Sequence, residues 1–186
     1  DDLVIEGEGA LTLGATHINQ EGELDLSNPV FISWDKFEES PEIMLEVGDI
    51  LIVQRGSTCG KVGLIVNDIG KATINPSLVI LKDIKVIGHY LFYLIQSSID
   101  VLVNLTRSSS IPMLSQEQIG NLDICLPPFQ EQKKIIEKLI TVKSKYSQLI
   151  ISLNVQIEKL KEYRQSIISE TVTGKIDLRD WQPNNA

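Results

Sequence analysis

From Phe129 to about Thr173 the chain carries neither proline nor glycine, and no other stretch of it runs so long without one. Within it, apolar residues recur at Ile135, Leu139, Val142, Tyr146, Leu149 and Leu153, in steps of 4, 3, 4, 3 and 4. That stepping is a heptad seam, the stripe one helix offers to another. Ile157 follows by a further four and Leu160 by three, so the seam slips as at a stutter and resumes through Tyr163 and Ile167. Gly174 is placed to stop the helix. About 44 residues at a rise of about 1.5 Å make a rod of roughly 65 Å. The residues before it fill a domain only about 30–40 Å across. The stripe therefore outruns its own domain and calls for a second long helix, most simply that of a second copy. A helix folded back on its own domain is the alternative, and the length opposes it.

Ahead of the rod the pattern changes to short β-type runs. Asp49-Ile50-Leu51-Ile52-Val53 and Lys61-Val62-Gly63-Leu64-Ile65-Val66 are separated by a loop with glycines, which predicts a β-hairpin. The stretch VQRGSTCGKVGLIV holds a Gly-Lys pair, yet it is no phosphate loop. Only Ser57, Thr58 and Cys59 separate Gly56 from Gly60-Lys61, and Val62 has no hydroxyl for magnesium. Gly7, Gly9 and Gly14 likewise miss the dinucleotide fingerprint. Residues 1–30 read as loop-rich. Ser33 is placed to cap a short helix through Asp35–Glu38 that Pro41 ends. Asn67–Gly70 reads as a turn, with strand pieces at Ala72–Ile74 and Leu78–Leu81. Ile87, Tyr90, Leu91, Leu94 and Ile95 fall at helical spacing, Ser115 with Gln118 forms a capping box, and Leu122–Leu126 reads as a strand closed by Pro127-Pro128.

Charge is unevenly spread. The net charge is -8, but residues 1–46 hold 12 acids against one base, Lys36, while the remainder holds 13 acids and 16 bases. A uniformly basic nucleic-acid coat is excluded; a local DNA-binding face beyond residue 46 is not. Cys59, Cys125, His17 and His89 fit no metal or disulfide framework and read as ordinary reduced-compartment residues. No run of 18 apolar residues is present. The chain opens on Asp1-Asp2 without a signal-like segment, which reads as a start within a larger domain.

Several segments carry a family resemblance. Residues 126–139, LPPFQEQKKIIEKL, resemble a signature of the specificity subunits of type I restriction–modification systems, and LKEYRQSIISETVTGKIDLR at 160–179 is similar to the end of the same long helix. Upstream, VGDILIVQRGSTCGKVGLIV, INPSLVILK and IPMLSQEQIGNLDICLPP look like parts of the family's target-recognition domain, so the resemblance spans about residues 30–179. It implies an α+β fold: a β-rich target-recognition domain over 1–128, incomplete at its N-terminus, and a long coiled-coil-forming spacer helix with its tail over 129–186. A full specificity subunit has two such domains and two such helices, so the expectation is a half-subunit or a C-terminal piece of a longer chain.

The function implied is non-catalytic. Each recognition domain reads one half of a bipartite site in double-stranded DNA, and the long helices pack antiparallel and set the spacing. Methyltransferase subunits dock and methylate a flipped-out adenine; restriction subunits are a further partner that the resemblance allows. S-adenosylmethionine, ATP and magnesium belong to those partners, and no cofactor or metal is assigned to this chain. A homodimer through the long helix, a cytoplasmic location and no membrane contact complete the expectation. Two alternatives remain: the specificity piece of a fused restriction–methylation enzyme, and a coiled-coil dimerisation module without DNA. No Asn/Asp-Pro-Pro-Tyr methyltransferase motif and no Pro-Asp…Glu-x-Lys nuclease pattern occurs; Asn28-Pro29 and Asn75-Pro76 continue into Val30 and Ser77.

Candidate DNA-reading residues follow from side-chain chemistry, since base edges take Arg, Lys, Asn and Gln, and phosphates take Arg, Lys, Ser, Thr and backbone amides. The hairpin loop offers Gln54, Arg55, Ser57, Thr58 and Lys61, with Arg55 expected on base or phosphate and Lys61 on phosphate. Arg107, Ser108 and Ser109 form a second group, and Lys71 with Asn75 a third. His17, Asn19 and Gln20 lie in the acidic segment and are set aside. Helix pairing is assigned to Ile135, Leu139, Val142, Tyr146, Leu149, Leu153, Ile157, Leu160 and Ile167. Lys133, Lys134, Lys138, Lys143 and Lys145 read as a solvated or partner-docking face beside the seam.

Overall fold

The computed structural model describes residues 2–106 and 112–176. The chain divides into two compact units between Ile136 and Glu137. Among its described residues the first unit contains two small sheets, three α-helices and the start of a fourth. One sheet has the order β1-β3-β2-β6, with β1 at Leu3–Val4, β2 at Gly9–Leu13, β3 at Phe31–Ser33 and β6 at Ala72–Ile74. Its β2–β6 pair is parallel, aligning Leu11 with Ala72 and Leu13 with Ile74, and its other pairs are antiparallel. The other sheet has the order β5-β4-β7, all antiparallel, with β4 at Ile50–Val53, β5 at Val62–Leu64 and β7 at Leu78–Leu81. Helices α1 (Trp34–Glu38), α2 (Gly88–Thr106) and α3 (Gln116–Gly120) lie wholly within the unit.

β4 organises the interior. Its four residues are apolar without alternation because both of its faces are covered. Side chains alternate along a strand, so Ile50 and Ile52 point one way and Leu51 and Val53 the other. The first pair joins Phe92, Ile95 and Ile99 of α2, with Leu114 and Ile119, in one core. The second pair joins Leu11, Leu13, Ile18, Ile65 and Leu78 in another, which the two sheets share. The hairpin expected over 49–66 is present, with Ile50 opposite Leu64 and Ile52 opposite Val62. Gly60 in its loop adopts φ +93°, and a Cβ there would sit 2.5 Å from Val103 Cγ2, so only glycine fits this approach to α2.

The expected caps form as well. Ser33 Oγ accepts the Lys36 N–H, and Ser115 and Gln118 make the reciprocal capping box, with Ser115 Oγ accepting the Gln118 N–H at 3.1 Å and Gln118 Oε1 accepting the Ser115 N–H at 2.9 Å. Two readings are corrected. Residues 1–30 are not merely loop, because Gly9–Leu13 is a fully buried inner strand of the four-stranded sheet. Leu122–Leu126 is not a strand: no described segment pairs with it as a ladder, and Ile124 and Leu126 stay exposed.

Helix α4 runs from Phe129 to Val172, 44 residues, as the uninterrupted stretch predicts. Its end is a Schellman motif: Gly174 at φ +74° lets its own N–H reach Thr171 O, at 3.1 Å, and brings the Lys175 N–H to Glu170 O, at 2.9 Å. Along the second unit the seam residues Leu139, Tyr146, Leu149, Leu153, Ile157, Leu160 and Ile167 are exposed, and Val142 is half-buried; Ile135, in the first unit, is half-buried too. Among the described residues no helix is long and apolar enough to cross a membrane.

Candidate nucleic-acid interface

The loop of the β4–β5 hairpin is held by its first residue. Gln54 is buried; its Nε2 donates to Pro76 O at 2.9 Å and its backbone N–H donates to Ser77 O at 2.9 Å. Its carbonyl accepts the Leu114 N–H at 2.7 Å and the Cys59 thiol at 3.4 Å. One residue thus ties together the hairpin loop, the β6–β7 turn and the segment after α2. The last of these runs antiparallel to the loop, through an Arg55–Met113 bridge and a Gly56 N–H donated to Pro112 O at 3.3 Å.

The candidates fall out as follows. Arg55 and Ser57 are exposed and Thr58 is half-buried, all on the loop that Gln54 anchors. Gln54 is largely buried and its Nε2 donates to Pro76 O, so its first role in the structure is to anchor the loop. Lys61 Nζ donates to Ile18 O at 3.0 Å, which ties the loop to the segment after β2 and leaves the ammonium two further protons. Asn75 joins this end of the unit, its Oδ1 accepting from the Ser77 N–H and hydroxyl, and its amide lying over Gly14. Lys71 stands apart: it is exposed before the other end of β6, beside clefts lined by Phe37, Phe31 and Trp34. Arg107, Ser108 and Ser109 lie outside the described residues.

Of the residues set aside, His17 is structural. Its Nδ1 accepts the Gly14 N–H at 2.9 Å, so Nε2 carries the proton and donates to Asn28 O at 3.2 Å. Asn19 Oδ1 accepts the N–H groups of Glu21 and Glu23 and organises a turn. Gln20, in contrast, lines a cleft of about 310 Å³ against Ser57, Thr58, Lys61, Gln96 and Asp100. Gln96 and Asp100 on α2 escape sequence reasoning, since nothing local marks them as neighbours of the hairpin loop. Among the described residues no group of three or more His, Cys, Asp or Glu is placed to hold a metal ion. Burial is the main influence on the Cys59 thiol and pushes its pKa up.

A second anchor sits at the start of α4. Gln132 is buried; its Oε1 accepts the Ile87 N–H at 3.3 Å and its Nε2 donates to Pro127 O at 2.8 Å. Tyr90 adds its hydroxyl to Cys125 O at 3.1 Å. Gln132 is the last residue of the LPPFQEQ stretch, so its burial gives that signature a physical reason.

A mixed β module with an anchored polar loop end, leading into a 44-residue helix, is the α+β architecture of specificity subunits. The crystal structure of the HsdS subunit from Thermoanaerobacter tengcongensis superposes with a TM-score of 0.65 at 18% identity, over 95% of this chain and 40% of that one. A chain from a structural study of complex assembly and conformational transition in the type I R-M system superposes at 0.60 and 13% identity, over 95% of this chain and 45% of its own. Residues 16–159 match the family described as type I restriction modification DNA specificity domain, and the chain belongs to that family. The specificity subunit of the type I restriction enzyme MjaVIII, from Methanocaldococcus jannaschii, is 30% identical over 135 residues. That of EcoDI, from Escherichia coli, is 24% identical over 116 residues. The matches span 71% and 62% of this chain, and 30% and 26% of those relatives.

Proposed function

We propose that the chain is the DNA-reading, non-catalytic element of a type I restriction–modification complex. The first unit reads one half of a bipartite site with the end of the β4–β5 hairpin, where Arg55, Ser57, Thr58, Lys61 and Asn75 gather; Lys71, apart from them, contributes at most a phosphate contact. The long helix pairs antiparallel with another of its kind, and adenine methyltransferase subunits dock on the assembly, with restriction subunits as optional further partners. Methyl transfer from S-adenosylmethionine, and any step that uses ATP and magnesium, belongs to those subunits.

The observation that carries the reading is the Gln54 anchor within a chain of this family. It ties the loop to the β6–β7 turn through its backbone N–H and side chain and to the segment after α2 through its carbonyl, and leaves Arg55 exposed beside it. Pairing is supported by the exposed seam from Leu139 to Ile167. Burying even half of seven such side chains is worth on the order of 5–10 kcal/mol before the cost of association. The net negative charge makes the chain alone a weak DNA binder, and a basic partner turns the assembled complex into a tight one.

The test is to express the chain with its cognate methyltransferase subunit and map methylated adenine in the host DNA. A split motif with palindromic halves is expected if two copies pair. An assembled complex that adds no methylation and binds DNA without salt dependence overturns the reading in favour of a dimerisation module, because counterion release accompanies every phosphate contact.

A further inference from the structure

The cleft between the hairpin loop and α2 has a chemistry that backbone contact does not explain. Helix α2 buries Phe92, Ile95 and Ile99 in the core, which turns Gln96 and Asp100, four residues apart, to one neighbouring face. There they face Ser57, Thr58 and Lys61 of the loop and Gln20 of the segment after β2. The side chains of Gln20, Ser57, Thr58, Gln96 and Asp100 have no hydrogen-bond partner among the described residues, whereas Lys61 is held by Ile18 O. A seat for phosphate would exclude a carboxylate. Asp100 instead supplies acceptors alone, and Gln96 supplies one acceptor and two donors. In the major groove an acceptor-only group matches the exocyclic amino group of adenine N6 or cytosine N4, while guanine O6 and thymine O4 repel it.

We propose that this cleft reads a base edge, and that Asp100, assisted by Gln96, selects adenine or cytosine at one position of the half-site. The inference rests on the reading that the hairpin end meets DNA. Ser57 and Thr58 on the opposite wall hold the strand, and Gln20 closes the third side.

The experiment is a selection from a randomised duplex pool by the complex of the full chain with its cognate methyltransferase subunit, repeated with Asp100→Asn and Gln96→Ala. The wild-type complex is expected to select a half-site with one position restricted to adenine or cytosine. Asp100→Asn, which replaces two acceptors by one acceptor and a donor, is expected to relax or invert that one preference by roughly ten- to a hundred-fold and leave the other positions intact. Gln96→Ala is expected to weaken discrimination at the same or the adjacent base pair. The proposal is overturned if both variants select the wild-type motif, or if both lose affinity equally on every sequence while melting at the wild-type temperature. A wild-type complex that selects no motif at all defeats the DNA-reading role itself, and the cleft with it.

Discussion

The carboxamide of Gln132, on the second turn of α4, accepts the backbone N–H of Ile87 at 3.3 Å and donates to Pro127 O at 2.8 Å. It is buried, so both main-chain groups depend on it for their bonds. Replacement by leucine of similar size keeps the packing and strands both groups. A fully buried stranded polar group costs about 1–3 kcal/mol, and these two, on half-buried residues, cost toward the lower end. Gln132→Leu is therefore expected to lower the urea midpoint of the first unit clearly, and Gln132→Glu to do at least as much harm at neutral pH, because it keeps the acceptor for Ile87 but buries a charge against Pro127 O. Chemical denaturation followed by tryptophan emission from Trp34 measures both.

Asp49 and Lys82 form a second internal dependence. Asp49 Oδ2 accepts the Glu46 N–H at 2.9 Å and meets Lys82 Nζ at 3.1 Å, and Lys82 also donates to Met44 O. The carboxylate is buried, whereas the lysine is about a quarter exposed. Lys82→Ala leaves a buried charge without its counterion and is expected to cost about 2–3 kcal/mol, while Asp49→Ala frees a lysine that can turn to solvent and is expected to cost less. Thermal melts of the two variants check the order; a larger loss from Asp49→Ala would contradict it.

The two thiols are expected to differ in reactivity. Cys125 is exposed, and Cys59 is half-buried with its pKa raised chiefly by burial. The thiolate is the reactive form, so iodoacetamide at pH 8 should label Cys125 first and Cys59 slowly. The raised pKa also fixes a sign. The fold favours the neutral thiol, so its contribution to stability is complete below the ordinary thiol pKa and is lost as pH rises through the folded value. Mass spectrometry across pH 7–10 should show Cys59 labelling displaced to higher pH in native protein and normal in urea.

The proposed pairing of the long helices makes a prediction for the seam. Leu149 and Leu153 are both exposed along α4 and belong to the regular part of the repeat. A charge placed there must be desolvated on pairing. Leu153→Asp is expected to weaken self-association by at least a hundred-fold, and Ser147→Asp, off the seam, to leave it near the wild-type value. Sedimentation equilibrium separates the two.

What the sequence made legible was local. The hairpin at 49–66, the caps at Ser33 and Ser115, the turn at Asn67–Gly70, the long helix and its glycine stop all follow from neighbours in the chain, and all stand in the structure. The inner strand Gly9–Leu13 was illegible because its parallel partner, Ala72–Ile74, lies some 60 residues away and its own composition is ambiguous. Leu122–Leu126 misled for the converse reason: it has strand composition and no ladder partner. At the interface, Arg55 and Ser57 were readable as loop residues. The inward turn of Gln54, and the placing of Gln96 and Asp100 opposite Thr58, depend on α2 packing against the hairpin, which no local pattern encodes.

The bonds that hold the hairpin end have an evolutionary consequence. Leu114 N–H to Gln54 O, Gly56 N–H to Pro112 O and Gln54 N–H to Ser77 O join backbone to backbone and ask nothing of the side chains at 55, 57 and 58. Those positions can be exchanged at little cost to folding, since surface substitutions away from caps and cores usually change stability by no more than about 0.5 kcal/mol. If the proposed reading holds, a chain built in this way can drift from one DNA word to another while its frame stays still.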